Sequence, residues 1–137
     1  MNNKILLSHF SNISAKNWRD WRWQFQNRVT SMTKLTRILG RSMPWAEKLR
    51  PVLSAYPMAI TPYYLSLFEQ NEENNPLALQ CIPDLREISV LPNSPADPLN
   101  EDGCMPAPKL IHRYPDRALA MVTKTCAMHC RHAPVFI

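Results

Sequence analysis

The chain has 137 residues, of which 45% are hydrophobic and 20% charged, and carries a formal net charge of +5. That length suits one modest domain and excludes a complete eight-stranded α/β barrel, which takes about 200 residues or more. Thirteen prolines against two glycines favour short helices joined by stiff, extended connectors.

The positive charge would permit an acidic partner, but it is dispersed. Lys16, Arg19, Arg22, Arg28, Lys34, Arg37 and Arg41 follow one predicted helix with no nucleic-acid recognition motif beside them, so the expectation is a solvated face or a subunit contact and no nucleic acid. The apolar run Ile5 to Leu7 is too short for a signal-peptide core, and no stretch approaches the ~18 apolar residues of a membrane span. A reducing cytoplasm is therefore expected, with Cys81, Cys104, Cys126 and Cys130 as thiols or metal ligands and not disulfides.

From Ser14 to Leu39 the apolar positions Trp18, Trp21, Phe25, Met32, Leu35 and Leu39 are three, four and seven apart, which predicts one long helix capped by Ser14 and stopped by Gly40. Arg28 interrupts the stripe, its stem free to lie along apolar neighbours. Trp23 falls off the stripe, and two readings stay open: packing under a loop of its own chain, or docking on a second surface. A short helix restarts at Ser42-Met-Pro44-Trp45 and ends before Tyr56-Pro57. Thr61-Pro62 and Asn75-Pro76 each place a capping side chain before a proline at the first helical position. Tyr63, Tyr64, Leu67 and Phe68 are assigned to the core, and Cys81 beside Ile82 reads as a buried small hydrophobe.

Between Pro83 and Pro108 recurrent prolines forbid any long element, leaving Asp84 to Val90 as the part ordered by itself. This stretch reads as a wrapping segment. Cys104 has no metal-ligand spacing to Cys126 and is a bystander. Domain boundaries follow: a helical region at 1–82, the proline-rich segment at 83–111, and a distinct C-terminal region at 112–137.

That last region reads His112-Arg-Tyr-Pro-Asp-Arg117, then the apolar run Ala118 to Thr123, then Cys126-Ala-Met-His-Cys130-Arg-His132. The apolar run predicts a buried strand, the one convincing strand of the chain. It would lack a partner for its backbone groups. A strand whose C-terminal end opens onto soft ligands is how α/β enzymes present a metal or cofactor.

Residues 112 to 132 resemble the radical S-adenosylmethionine aminomutases of the lysine 2,3-aminomutase type, whose signature joins His-Arg-Tyr-Pro-Asp-Arg, a first barrel strand and Cys-x3-Cys-x2-Cys. Trp21-Arg-Trp-Gln24, Thr61-Pro-Tyr-Tyr64 and Asp97-Pro-Leu-Asn-Glu101 resemble the same family in the same order. The fold this implies is mainly α: an N-terminal helical region followed by the first strand of an incomplete α/β, partial TIM-type barrel. By that resemblance the function is 1,2-amino migration, an isomerase reaction converting L-lysine to L-β-lysine, with glutamate as the alternative substrate. The cofactors implied are a 4Fe-4S cluster, S-adenosylmethionine and pyridoxal phosphate, in a homo-oligomer.

The same resemblance makes Cys126 and Cys130 two of three cluster ligands, and His132 a contact to the adenine of S-adenosylmethionine. Arg113, Tyr114 and Arg117 match contacts to pyridoxal phosphate, a role that suits guanidinium forks and an aromatic face. Ion pairing of the two arginines with Asp116 or another carboxylate is the structural alternative. The third cysteine of the motif corresponds to Ala133, whose methyl group coordinates nothing, and the following arginine corresponds to Val135. The expectation is therefore a fragment ending inside its cluster loop, inactive and binding no cofactor stably, with no catalytic residue of its own and a possible missing barrel half as partner. One dropped base turns TGC ACC CGT, for Cys-Thr-Arg, into GCA CCC GT, for Ala-Pro-Val, which makes a frameshift one expected origin. A small basic zinc-binding or adaptor protein using Cys126, His129, Cys130 and His132 is the competing expectation, although ligands crowded into seven residues do not easily face one ion.

Overall fold

The computed structural model describes residues 7–11, 13–68, 75–89, 101–123 and 125–131. The chain divides into two compact units, Met1–Ser89 with Ala127–Pro134, and Val90–Cys126 with Val135–Ile137.

The first unit is a cluster of short helices. The long helix expected from Ser14 to Leu39 is broken into α1 (Ala15–Arg19), α2 (Trp21–Gln26) and α3 (Met32–Leu39). Ser14 caps α1 as expected, accepting from the Asn17 amide at 3.0 Å. The break comes from Asp20, whose extended backbone ends α1 while its carboxylate accepts from the Arg22 amide at 2.9 Å and starts α2. Short polar side chains compete in this way with the backbone ladder. Ser31 repeats the device at α3, accepting from the Lys34 amide at 3.3 Å. Gly40 closes α3 in the left-handed region at φ 64°, the conformation that favours glycine.

Restarting the helix resets the phase of the apolar stripe. Trp21, expected on the buried face, is 67% exposed. Trp23 instead packs against the core, edge-on to Phe10 at 6.3 Å and tilted against Trp18 at 6.2 Å, the first of its two open readings. Arg28 lies with its guanidinium 3.7 Å from the centroid of the Phe25 ring.

Between α2 and α3 the chain is extended, and Val29 forms an antiparallel bridge with Ile60, its amide donating at 2.7 Å and its carbonyl accepting at 3.1 Å. Both side chains are fully buried. Gln24 adds a second tie: its Nε2 donates to the Trp18 carbonyl at 2.9 Å, and its Oε1 accepts from the Tyr63 amide at 2.8 Å. The same core cluster includes Leu35 of α3, Val52 of α5 (Arg50–Ala55) and Leu65 of α6 (Pro62–Ser66), each with no exposed surface. α4 (Met43–Lys48) precedes α5, and both carry a proline in the first turn.

Thr61 caps α6 and Asn75 caps α7 (Pro76–Leu79), as expected. Tyr63 and Leu67 are corrections, being largely exposed where core was expected, because the inward face of this short helix runs through Pro62, Leu65 and Phe68 at spacings of three. Cys81 is fully buried, as expected. A 3-10 turn, Leu85–Ile88, follows with a capping box between Asp84 and Glu87.

In the second unit β1 (Leu110–Tyr114) and β2 (Arg117–Ala120) form an antiparallel hairpin, with Leu110 opposite Ala120, Ile111 opposite Leu119 and Tyr114 opposite Arg117. This corrects two expectations. The strand at Ala118 is neither solitary nor buried: all four residues of β2 are exposed. Pro115 and Asp116 form the turn, proline presetting the φ that a turn requires, so the motif reverses the chain where it was taken to lead into a single strand.

Gly40 predicts a local cost. Gly40→Ala meets no atom within 4 Å, yet it forces a side chain into the left-handed region, so urea denaturation should show a loss of about 1 kcal/mol, with Gly40→Asn less affected.

Candidate functional site

The segment Ala127 to Arg131 is held against the helices of the first unit. The Met128 side chain packs on the core. The His129 amide donates to the Ala59 carbonyl at 2.9 Å, and the Arg131 amide to the Gln80 carbonyl at 2.7 Å. His129 Nδ1 lies 3.1 Å from the Pro57 carbonyl.

The strongest hold is Arg131. Its side chain is only 4% exposed and faces a Glu87 side chain that is 17% exposed. Nε lies 3.0 and 2.9 Å from the two Glu87 oxygens, and Nη2 donates to Oε2 as well. Nη1 donates to the carbonyls of Tyr56 and Pro57 at 3.4 and 3.3 Å. Glu87 is itself fixed, since its Oε1 accepts from the Asp84 amide at 2.6 Å in the capping box. A buried guanidinium is tolerated when its charge is matched and its donors are satisfied. Sequence reasoning missed this pair. Asp84-x-x-Glu87 is legible as a capping box, but nothing local marks Arg131 as its partner 44 residues away.

Cys130 sits beside this anchor with its side chain exposed, and Cys126, in the second unit, is also exposed. Cys81 behaves oppositely: burial pushes its thiol up to about 12, with the nearby Cys130 adding to the rise and Arg131 opposing it. Burial, and then the same two thiols, also raise the Tyr64 hydroxyl, which donates to Gln80 Oε1 at 3.0 Å.

The remaining candidates lie in the second unit. Arg113 and Tyr114 are on β1 and Arg117 opens β2, all exposed. The Arg117 guanidinium stands 4.7 Å from the centroid of the Tyr114 ring, and its Nε lies 3.8 Å from Asp116 Oδ1. The hairpin thus supplies positive charge to which a phosphate could bind. His132 and Ala133 lie outside the described residues. Among the described residues no three of His, Cys, Asp and Glu come together as a metal-binding group. The two thiols Cys126 and Cys130 do not by themselves make up the ligand set of a four-iron cluster.

No protein-family model matches the chain. It is 41% identical over 123 residues to the L-lysine 2,3-aminomutase of Acetoanaerobium sticklandii, covering 90% of this chain and 30% of that protein. It is 42% identical to the L-lysine 2,3-aminomutase of Fusobacterium nucleatum, again over 90% of this chain and 29% of that protein. The glutamate 2,3-aminomutase of Clostridioides difficile is 35% identical over 88% of this chain and 28% of its own length. The chain spans about 30% of the length of the curated relatives it matches.

Two predictions follow from this geometry. Glu87→Gln leaves the buried Arg131 charge unmatched, so hydrogen exchange should show the Arg131 and His129 amides losing protection, at a cost of about 3 kcal/mol in the tethering of the segment. Cys81 is the second case. The folded chain holds the Cys81 proton more tightly than the unfolded chain, whose thiol titrates near 9.0. This contribution to stability is therefore fully present below pH 9 and lost progressively between pH 9 and 12. Iodoacetamide at pH 8 should modify Cys126 and Cys130 well before Cys81, and mass spectrometry of the digested protein reads the order.

Proposed function

We propose that this chain, a relative of the L-lysine 2,3-aminomutases over 90% of its length, is the helical N-terminal part and barrel opening of a radical S-adenosylmethionine aminomutase, and that it does not carry out the reaction alone. The observation that carries the reading is the anchored segment around Cys130. A helical unit whose buried ion pair fixes a thiol-bearing loop is a scaffold for ligation, whereas an exposed and untethered Cys-x3-Cys would be incidental.

In this reading Cys126 and Cys130 would supply two thiolates to a 4Fe-4S cluster, and His132 would contact S-adenosylmethionine. Arg113 and Arg117 would face the phosphate of pyridoxal phosphate, a role supported by their charge, and the Tyr114 ring would lie beside its pyridine. When bound, these groups supply radical generation and stabilisation. The chain's own part is to present the donors. Among the described residues β2 pairs with β1 alone, and further strands of an α/β barrel would add to its other edge; in this reading residues 1–82 are a helical region, 83–111 a wrapping segment and 112–137 the barrel opening. The substrate class is a free α-amino acid, lysine by the first relatives and glutamate by the further one, in a cytoplasmic homo-oligomer.

The limiting feature is the donor count. Ala133 stands where the family motif has its third cysteine, and two thiolates do not complete the site. Anaerobic iron-sulfide treatment of the purified chain should give only a labile, substoichiometric cluster. Ala133→Cys should raise bound iron and sulfide several-fold. With S-adenosylmethionine, pyridoxal phosphate and reductant the unaltered chain should form no β-lysine. Detectable turnover, or a stable cluster without the added cysteine, contradicts the proposal.

A further inference from the structure

Two thiols of the first unit flank the bond that ties its C-terminal segment to the end of α7. The Arg131 amide donates to the Gln80 carbonyl at 2.7 Å, which sets Cys130, the residue before Arg131, beside Cys81, the residue after Gln80. Standard backbone dimensions then keep their Cα atoms within about 8 Å of each other. That ceiling takes in the separations of about 4.4–6.8 Å that a disulfide bridges. The electrostatics agree, since Cys130 adds to the effect of burial in raising the Cys81 thiol. After burial, both thiols raise the Tyr64 hydroxyl, which donates to the Gln80 side chain at 3.0 Å.

Access divides the pair. Cys130 is exposed, whereas Cys81 is fully buried, its thiol donating weakly to the Leu77 and Ala78 carbonyls at 3.6 and 3.8 Å. A solute from the solvent therefore meets Cys130 first. Cys104 and Cys126 belong to the second unit, so Cys81 is the thiol that the fold of the first unit itself sets beside Cys130. The neighbourhood is kept by contacts that use neither sulfur: Arg131 with Glu87, and the His129 amide with the Ala59 carbonyl at 2.9 Å.

We propose that Cys81 and Cys130 form a disulfide when the chain meets a peroxide, Cys130 reacting with the oxidant and Cys81 resolving the product. The Cys130 sulfur attacks one peroxide oxygen, the O–O bond breaks, and the other oxygen leaves as water with the thiol proton, giving a sulfenic acid. The Cys81 sulfur then attacks the Cys130 sulfur. The S–O bond breaks, and the hydroxyl leaves as water with the Cys81 proton. Two thiols lose two electrons in all, and one hydrogen peroxide is reduced to two waters. The pairing needs neither cluster nor S-adenosylmethionine.

The test treats the purified, reduced chain with a small excess of hydrogen peroxide, blocks the remaining thiols under denaturing conditions and digests with trypsin. Cys81 and Cys130 fall on different tryptic peptides, while Cys126 shares the Cys130 peptide. Mass spectrometry should show the two peptides joined, with fragmentation placing the bond on Cys130. Thiol titration should show two thiols lost per chain and regained with dithiothreitol. Cys126→Ser should keep the bond, and Cys130→Ser should leave Cys81 reduced. In Cys81→Ala, with circular dichroism as the check on folding, dimedone should label Cys130 several-fold more than in the unaltered chain, because its sulfenic acid is no longer resolved. The cross-link in the unaltered chain decides the matter without any variant. A bond confined to Cys126 and Cys130, a bond from Cys81 to Cys126, or Cys130 overoxidised beside a reduced Cys81 overturns the proposal.

Discussion

The ion pair between Arg131 and Glu87 is the constraint on which the C-terminal end of the first unit depends. Removing a guanidinium from water is expensive, and the cost is offset only when the opposite charge and additional acceptors stand ready in the interior. Here the readiness comes from the 3-10 turn Leu85–Ile88. Its capping box holds the Glu87 carboxylate in place through the Asp84 amide, a contact that does not involve Arg131. The carbonyls of Tyr56 and Pro57 are exposed for the same purpose by the extended stretch after α5, where Pro57 forbids further helix. Three separate chain segments thus meet on one side chain. Without it the loop would keep two backbone bonds, the His129 Nδ1 contact to the Pro57 carbonyl and the Met128 packing, a weaker hold for a segment that carries an exposed thiol.

What makes that anchor possible is the fragmentation of the helices. A single helix from Ser14 to Leu39 would be about 39 Å long at 1.5 Å per residue, too long to wrap a core this small. Breaking it at Asp20 and again at Asn27 lets the chain turn back and lay Val29 against Ile60. Both bridge residues are fully buried members of the hydrophobic cluster. The prolines at the starts of α4, α5, α6 and α7 act alike, each starting a short helix cheaply where a proline has no lost donor to miss. Cys81 completes the packing and is held neutral by it, so two thiols of the same unit have opposite characters: one a core methyl-sized filler, the other exposed beside the anchor.

Much of this was legible in the sequence because it is local. Ser14, Thr61 and Asn75 cap where their neighbours say they should, Gly40 stops α3, and Cys81 is buried beside Ile82. The failures share a cause, which is that the deciding partner lies far along the chain. The stripe from Trp18 to Leu39 is a fair helical period, yet Asp20 and the distant Ile60 override it. Ala118 to Thr123 looks apolar enough for a buried strand, but its hydrogen-bond partner is Leu110–Tyr114, hidden inside a motif read for its chemistry. Tyr-Pro-Asp-Arg is at once a candidate cofactor motif and a turn signal, and the turn is what the backbone uses. Arg131 follows both cysteines of the Cys126-x3-Cys130 pair, and no local pattern ties it to a carboxylate 44 residues earlier.

The order of construction bears on the chemistry. A metal site assembled from mobile ligands must order them on binding, and that entropy is subtracted from affinity. Here the ordering around Cys130 is done by protein contacts alone, through Glu87, Ala59 and Gln80, none of which offers a donor to a metal at that position. The scaffold is therefore independent of the ligand count.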